Sequence, residues 1–243
     1  MIGIFAAMQS EVAACLTSLD PTEERQIGSF TVFKGKRGFV CRTGVGRVAE
    51  EAAELVAAVL LPRYLLSVGT AGGLSRDLAA ADLVVPRSLD VAGIAGFSTM
   101  TADSSLVDMA VASSASVGLP TTTGRCVTVA EAAWGPDEKN ALRQAGHDIV
   151  EMESYWTGRV AANRGIPFLA ARVISDSADQ SLPAIPNVIN KDGTTNQGAI
   201  VEYTKEHPEV MPALAEQAQR SAKAITNLRT FLEAFVPALA QSA

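Results

Sequence analysis

Two acidic stretches stand where apolar runs of strand length end. VEMES, residues 150–154, carries Glu153, and RVISDSAD, residues 172–179, carries Asp176. A third carboxylate, Glu11, follows the apolar run at the start of the chain. In open α/β sheets, ligands bind outside the carboxyl ends of the strands, where loops and helix N-termini converge. We therefore expect these three carboxylates to line one small-molecule site.

A carboxylate at the end of a strand also has a structural use. Asp and Glu in the first turn of a helix are favoured by the helix dipole and can cap free backbone N–H groups. That alternative suits any one of Glu11, Glu153 and Asp176 taken alone. Their occurrence on three separate strand ends favours a binding site, because the fold would gather them around one pocket.

A glycine-rich segment ends another apolar run. GTAGG, residues 69–73, brings Thr70, Ala71 and Gly72 to the same edge of the sheet. Glycines let backbone N–H groups approach an oxygen-rich ligand such as ribose or phosphate. TGVGR, residues 43–47, lacks the third glycine of the dinucleotide fingerprint, and the chain has no P-loop motif. NAD-dependent and P-loop nucleotide chemistry are therefore disfavoured.

Composition argues against several classes of protein. The chain has 243 residues, a formal net charge of −6 and no cluster of Lys and Arg that would indicate a nucleic-acid partner. Its 48% hydrophobic content suffices for a core, yet no apolar run reaches the roughly 18 residues of a membrane span. Cys15, Cys41 and Cys126 are scattered and signal neither a disulfide framework nor a metal site. We expect a cytoplasmic protein that needs no cofactor.

The elements that must position these residues follow from hydrophobic periodicity. Apolar runs of strand length alternate with helical patterns, which is typical of βαβ units around a parallel or mixed sheet. The predicted strands span residues 2–7, 30–33, 39–43, 64–69, 83–86, 125–129, 149–152 and 168–175. The predicted helices span residues 47–60, 104–116, 137–144 and 153–163. We predict one α/β domain over residues 1–243, with a loop at residues 180–197 and a C-terminal helix at residues 208–236.

Together the motifs resemble those of a known family. After an N-terminal strand that ends in AMQSE come VGTAGGL, VEMES and RVISDSAD, in that order. This combination is similar to the purine nucleoside phosphorylase and nucleosidase superfamily, and most similar to its hydrolytic branch, the methylthioadenosine/S-adenosylhomocysteine nucleosidases. The resemblance covers roughly residues 1–180. It implies a single-domain, three-layer αβα fold with a central mixed β-sheet, and an enzyme that cleaves the N-glycosidic bond of a purine nucleoside.

The resemblance also implies roles for the residues at matching positions. Glu11 corresponds to the glutamate that orients and activates the attacking water, and Glu153 to the one that holds the ribose hydroxyls. Asp176 corresponds to the aspartate that helps to protonate N7 of the purine, with Ser175 beside it. Met152 corresponds to the methionine that packs against the sugar.

Two further parts of the site follow from the same resemblance. Thr70, Ala71 and Gly72 correspond to residues that line the ribose or nucleophile side. Where the nucleosidases place an aromatic residue to stack on adenine, this chain has AEAAW, residues 130–134. Two alternatives follow: either Trp134 takes that place from a shifted position, or the base pocket is more open.

Cleavage of an N-ribosyl bond needs negative charge and a proton donor in one site. The purine is a poor leaving group and the ribose develops positive charge, so the enzyme must protonate the base and surround the sugar with hydrogen-bond acceptors. We expect Asp176 to deliver the proton and an ionised Glu153 to accept from two hydroxyls. Glu151 is expected to be structural or exposed, because strand alternation points it away from Met152.

The C-terminal part of the chain resembles a more specific branch. DSADQSLP, then KDG, a helix opened by Pro208 and the pattern AKAITNLR are similar to the hopanoid-associated phosphorylases, thought to remove adenine from an adenosyl-hopane precursor. This resemblance implies a large apolar 5′ substituent, framed by the loop at residues 180–197 and by the C-terminal helix.

Two alternatives stay open. A phosphorylase would use orthophosphate as co-substrate in place of water, and Arg42, Arg47 or Arg172 could supply positive charge for that anion, although Arg172 better suits an internal ion pair. A catalytically silent nucleoside-binding protein could share the fold, but mere binding needs no proton donor. The family usually forms homo-oligomers, so we expect a dimer or a larger assembly.

Overall fold

The computed structural model describes residues 1–190 and 192–242, and strands and helices alternate along them. The strands are β1 Ile2–Ala6, β2 Pro21–Ile27, β3 Phe30–Gly35, β4 Gly38–Arg42, β5 Tyr64–Gly73, β6 Leu83–Val84, β7 Ser88–Val91, β8 Met100–Thr101, β9 Thr121–Thr122, β10 Arg125–Thr128, β11 Ile149–Glu151 and β12 Phe168–Asp176. The helices are α1 Gln9–Leu19, α2 Val48–Leu60, α3 Ser104–Ser116, α4 Pro136–Gln144, α5 Ser154–Arg164, α6 Gln197–Glu206 and α7 Met211–Gln241.

The strands of the described residues form one mixed sheet. From one edge the order is β2-β3-β4-β1-β5-β11-β10-β7-β8, and β12 also pairs with β5 and leads on to β6 and β9. The long central strand β5 runs parallel to β1 and β12 and antiparallel to β11. The predicted central mixed sheet is thereby confirmed.

Different helices cover the two faces of this sheet. Leu169, Ala171 and Val173 of β12 pack in one apolar cluster with α1, α3 and α7. Ala170 and Ile174 of the same strand pack in a second cluster with α2 and α5. Successive side chains of a β-strand point to opposite faces, which explains the alternation. The three-layer αβα arrangement is as predicted.

The C-terminal helix fastens the first of these two layers. α7 packs on α1, α3 and β12, and Phe231 stacks on Phe235 with ring centroids 5.2 Å apart. It follows a short 3₁₀ turn at Pro208–Val210 and continues to Gln241, beyond the predicted end at residue 236. Across residues 1–190 and 192–242, none of the helices combines the length and the apolar composition of a transmembrane segment.

Five elements occur where the sequence predicted none: β2, β7, β8, β9 and α6. β2 and α6 are the longest of them. β2 is a polar, mostly exposed edge strand that pairs only with β3, so it carries no alternation of apolar and polar residues. α6 has no buried residue and therefore no apolar stripe that a helical period would reveal. Both are held by their neighbours rather than by a pattern of their own.

Candidate active site

A cavity of about 710 Å³ lies at the carboxyl ends of β1, β5, β11 and β12. Its volume is in the upper part of the usual range for small-molecule sites, about 300–1,000 Å³. All nine residues predicted for the site line this cavity: Glu11, Thr70, Ala71, Gly72, Trp134, Met152, Glu153, Ser175 and Asp176.

Glu11 is held by four hydrogen bonds. Its Oε2 accepts from the backbone N–H groups of Ala7 and Met8, at 3.1 and 3.0 Å. Its Oε1 accepts from the N–H of Thr70 at 2.8 Å and from the Thr70 hydroxyl at 3.1 Å. The bond from Met8 also caps the N-terminus of α1, so the structural and the functional interpretations of Glu11 apply together.

A glycine in β5 allows two charged groups to meet beside the cavity. A Cβ atom at Gly69 would lie 2.3 Å from Nη1 of Arg172 and 2.6 Å from Oε1 of Glu11. Any side chain at this position would therefore displace one of the two groups. The glycine of the GTAGG motif thus serves close packing of Glu11 and Arg172 against the strand.

Glu153 faces the cavity from the end of β11, just before α5. Its Oε1 accepts from the N–H of Gly46 at 2.8 Å, and its Oε2 lies 3.8 Å from the Arg172 guanidinium. The neighbouring Glu151 is buried, and it pairs with Arg172 at 2.5 Å while accepting the N–H groups of Glu153 and Ser154. Glu151 is therefore structural, one of the two outcomes expected of it, and it holds Glu153 in place.

Burial and neighbouring carboxylates shift the pKa of Glu153, because a single guanidinium lies near several of them. Burial, followed by the nearby charge of Glu151, raises the pKa of Glu153 to about 8, although Arg172 and the N–H of Gly46 act in the opposite direction. Glu11 adds further negative charge. A pKa raised to about 8 favours the protonated form of Glu153 near neutral pH when no ligand is bound.

Asp176 is buried at the end of β12, with 2% of its surface exposed. Its Oδ1 accepts from the Ser175 hydroxyl at 2.7 Å. Its Oδ2 accepts from the Lys139 ammonium at 2.5 Å. The predicted acid is thus one half of a buried ion pair.

Sequence reasoning missed Lys139. This residue is the buried member of the otherwise exposed helix α4, and its Nζ also donates to the carbonyls of Ser177 and Gln180, at 2.8 and 3.0 Å. Its position three residues before Leu142, which packs against a small apolar cluster, places both on one face of α4. That spacing was a weak signal, since a lysine in a polar helix is normally exposed.

The rest of the cavity is apolar. Its wall away from the carboxylates comes from the segment that follows β12, from α6 and from the start of α7. We call six of its residues the apolar chamber: Leu182, Ile185, Val188, Ile200, Met211 and Leu214. Met211 is 53% exposed, so the chamber opens to solvent beside it.

The crossing loop, described over residues 177–190 and 192–196, lines the cavity and is fixed at both ends. Near its start, the N–H of Leu182 donates to the Trp134 carbonyl at 2.8 Å. Near its end, the Gly193 carbonyl accepts from the N–H of Gln9 at 3.2 Å. Gly193 has a φ of +78°, and a Cβ there would lie 1.9 Å from the Ala7 carbonyl, so this contact requires glycine. The Lys191 of the KDG pattern lies outside the described residues.

The three arginines considered for an anion site are engaged elsewhere. Arg172 is paired with Glu151, and Arg47 contacts Glu50 at 3.2 Å and lies over the Trp156 ring. Arg42 lies 3.8 Å from Asp192. Within the described part of the chain, no group of three or more His, Cys, Asp or Glu side chains is arranged to hold a metal ion.

A family model decides where this fold and site belong. The model described as the phosphorylase superfamily matches residues 1–228. The chain belongs to the phosphorylase superfamily. It is accordingly an enzyme of the nucleosidase or nucleoside phosphorylase class.

Similar members of the superfamily include curated nucleosidases. A 5′-methylthioadenosine/S-adenosylhomocysteine nucleosidase of Marinomonas sp. is 28% identical over 210 residues, which cover 75% of this chain and 88% of that protein. The protein with the same description from Haemophilus ducreyi is 25% identical over 199 residues, covering 74% of this chain and 86% of its own length.

Solved structures share the same fold. The futalosine hydrolase of Helicobacter pylori superposes with a TM-score of 0.78 at 20% identity, covering 98% of this chain and 97% of the other. The 5′-methylthioadenosine/S-adenosyl homocysteine nucleosidase of Helicobacter pylori, solved in complex with a substituted pyrrolidin-3-ol, gives a TM-score of 0.77 at 19% identity with the same coverage. At this identity, the likeness establishes the nucleoside phosphorylase-like fold.

Proposed function

We propose that this enzyme hydrolyses the N-glycosidic bond of a purine nucleoside, with adenine as the base. The observation that carries the proposal is the convergence of Glu11, Glu153 and Asp176, from three different strand ends, on one cavity. Bond cleavage needs a proton for the leaving base, acceptors around the sugar and a positioned nucleophile. Each of the three carboxylates suits one of these tasks.

Asp176 belongs to the base end of the site. Its carboxyl group delivers a proton to N7 of the purine, which turns the base into a better leaving group. Ser175 holds Oδ1 of Asp176 at 2.7 Å and so fixes the plane of the carboxyl group. Trp134 lines the same cavity and provides the aromatic surface for the base.

Glu153 and Met152 contact the sugar. Glu153 Oε1 is already taken by the N–H of Gly46, so Oε2 is the oxygen that accepts the ribose hydroxyls. Because the pKa of Glu153 is raised to about 8, the carboxyl group must lose its proton when substrate binds near neutral pH. The carboxylate then lies where positive charge develops on the ribose.

Glu11 acts on the nucleophilic water. The Thr70 hydroxyl is the one donor to Glu11 that is free to rotate, and a water molecule takes its place on Oε1. Ala71 and Gly72 continue the wall beside it. A carboxylate beside the nucleophile repels an orthophosphate dianion and accepts a proton from water. This charge favours hydrolysis over phosphorolysis.

The apolar chamber holds the 5′ substituent of the substrate. Its six residues offer hydrocarbon contacts, and burial of each methylene group there is worth about 0.8 kcal/mol. A large apolar 5′ group such as a hopane side chain suits such a wall better than the short 5′ group of methylthioadenosine. The fit supports the adenosyl-hopane-like substrate suggested by the C-terminal motifs.

Product analysis tests the proposal. The purified full-length chain is incubated with adenosine, methylthioadenosine, S-adenosylhomocysteine, inosine and a 5′-dodecylthioadenosine, each with and without orthophosphate, and the products are separated by chromatography. We expect adenine and a free sugar in the absence of phosphate. Formation of a sugar 1-phosphate only in the presence of phosphate would show that phosphate, and not water, is the nucleophile. Absence of base release from every substrate would overturn the proposal.

We also propose that the enzyme works as a homo-oligomer in the cytoplasm. Leu55, Val59 and Leu61 expose apolar surface at the outer side of α2, which a second copy would cover. The buried cysteines carry free thiols, as in a reducing compartment. Sedimentation velocity on wild type and on Val59→Glu measures the first point, and a monomeric wild type at micromolar concentration would contradict it.

A further inference from the structure

The buried Lys139–Asp176 pair has a chemistry that Asp176 alone does not have. At neutral pH, a lysine and a carboxyl group in contact share a single acidic proton and form an ion pair. In the contact seen here, Lys139 Nζ is the donor and Asp176 Oδ2 only accepts. The proton that the leaving base needs lies on Lys139 Nζ, 2.5 Å from Asp176 Oδ2.

We propose that Lys139 is a positioning residue that supplies Asp176 with the proton it transfers to the leaving base. The inference rests on the proposed cleavage of a purine nucleoside. Lys139 acts through Asp176, because its Nζ is enclosed by Asp176, Ser177 and Gln180 and only 1% of the residue is exposed.

Each bond that forms in this step is matched by a bond that breaks. An N–H bond of the Lys139 ammonium breaks as an O–H bond forms on Asp176, and that O–H bond breaks as N7–H forms. The electron pair of the C1′–N9 bond goes to the purine, and water adds its hydroxide to C1′ while Glu11 takes the remaining proton. Lys139 is left as a neutral amine, Asp176 is again a carboxylate, and solvent restores both proton inventories after the products leave.

The position of Lys139 explains why a lysine suits this role. An ammonium keeps its proton to a pH about six units higher than a carboxyl group does. The contact therefore places an N–H donor directly at the Asp176 carboxyl group, and a proton can pass along this hydrogen bond. Through its bonds to the Ser177 and Gln180 carbonyls, Lys139 also stays in place when Asp176 moves its proton.

Other charged groups near the pair can influence a pH profile. Glu11 and Glu153 share the cavity with Asp176. The outer side of α4 is flanked by Arg76, Asp137, Arg143 and Asp179. Substitution of Lys139 leaves all of them in place, so the ratio of wild-type to variant rate isolates the contribution of the pair.

The test compares pH profiles of kcat for Lys139→Met and Lys139→Arg with wild type, between pH 6 and pH 9. Lys36→Met, which removes an exposed lysine paired with Asp20, is the control. The ratio of wild-type to Lys139→Met rate should grow with pH and be at least about tenfold larger at pH 9 than at pH 6, because the variant lacks the ammonium that supplies Asp176 with a proton. Lys36→Met should follow wild type throughout.

Lys139→Arg still tests the proposal if Lys139→Met fails to fold. Its guanidinium preserves the charge and the hydrogen bonds but does not release a proton in this range, so we expect the same growing loss of rate despite an unchanged melting temperature. A wild-type profile in Lys139→Arg, or a rate ratio that is the same at pH 6 and pH 9, would overturn the role of Lys139. Absence of base release by wild type would instead refute the proposed function.

Discussion

The carboxylates at the sheet end and the apolar chamber line one cavity, yet the protein holds them in different ways. Glu11, Glu151 and Asp176 each accept bonds from groups anchored in strands or helix starts. The chamber is built by the crossing loop and by the exposed beginning of α7, where Met211 is half in solvent. The fold thus fixes the groups that would break a bond and leaves the groups that would choose a substituent on more changeable elements.

The same comparison separates chemistry from selection. Reacting groups must be placed within fractions of an ångström, which the sheet provides. Apolar contacts are non-directional, so a loop and a helix end are sufficient for them. Changes in the first region should therefore alter turnover for every substrate, and changes in the second should alter the preference among substrates.

The largest effect is expected from Asp176→Asn. Removal of the acid should lower kcat by about 10²–10⁴-fold for every purine nucleoside, while a non-hydrolysable analogue still binds. Single-turnover rates and calorimetry measure the two quantities. Asp179→Asn, which changes an exposed aspartate close by in the chain, is the matched control. Undiminished turnover in Asp176→Asn would show that Asp176 is not the acid. It would also contradict the assignment of the chemistry to the sheet end.

Substitution of Glu151 tests how strongly the buried ion pair stabilises the sheet end. Glu151→Ala removes the closest ion-pair partner of the buried Arg172 guanidinium and leaves only Glu153 at 3.8 Å, so the free energy of unfolding should fall by about 3–5 kcal/mol. Urea denaturation measures this loss. Glu54→Ala removes an exposed ion pair with Arg164 and should cost only about 0–1 kcal/mol. Equal losses in the two variants would mean that the buried pair does not stiffen the site.

Ligand binding as a function of pH sharpens the account of Glu153. Burial and the Glu151 charge raise the pKa of Glu153 to about 8, so the free carboxyl group is protonated below that pH. Ribose hydroxyls donate to the ionised form, so affinity for a non-hydrolysable ribonucleoside should rise by up to about tenfold per unit toward pH 8 and then level off. Calorimetric titrations with the 2′,3′-dideoxy analogue should show no such rise, and a flat profile for both would contradict the assignment.

The smallest change should come from the chamber. Leu214→Ala removes apolar contact at the wall, so kcat/KM for a 5′-dodecylthioadenosine should fall by about tenfold, which corresponds to roughly 1.4 kcal/mol. The value for adenosine should stay the same. Val117→Ala, at an exposed position at the end of α3, is the control. An equal loss for both substrates would show that the chamber does not select among them.

The sequence predicted the layers and the carboxylates Glu11, Glu153 and Asp176 because their signals are local, whereas Met152 and Trp134 followed from the family resemblance. β12 and β11 are apolar runs that end in carboxylates, and both the alternation and the strand ends can be read without a structure. Lys139 could not be found in this way, since its partner Asp176 lies 37 residues away in the chain. The charge of Glu153 also depends on Glu11 and Arg172, which only the folded sheet brings near.

The apolar chamber escaped for a different reason. Its residues come from the crossing loop and two helices, and no common period links Leu182 and Ile185 to Leu214. The crossing loop was expected to frame a substituent, but its contacts with Trp134 and Gln9 depend on backbone groups that carry no sequence signal. The conformation of such a loop is set by its tertiary contacts.

Initial rates for a series of 5′-alkylthioadenosines, from methyl to dodecyl, test the central claim most directly. If the sheet end performs the chemistry and the chamber receives the substituent, kcat/KM should rise by up to about fourfold for each added methylene that is buried, while the single-turnover rate at saturation stays nearly constant. Values of kcat/KM that are flat or fall as the chain lengthens would contradict the account.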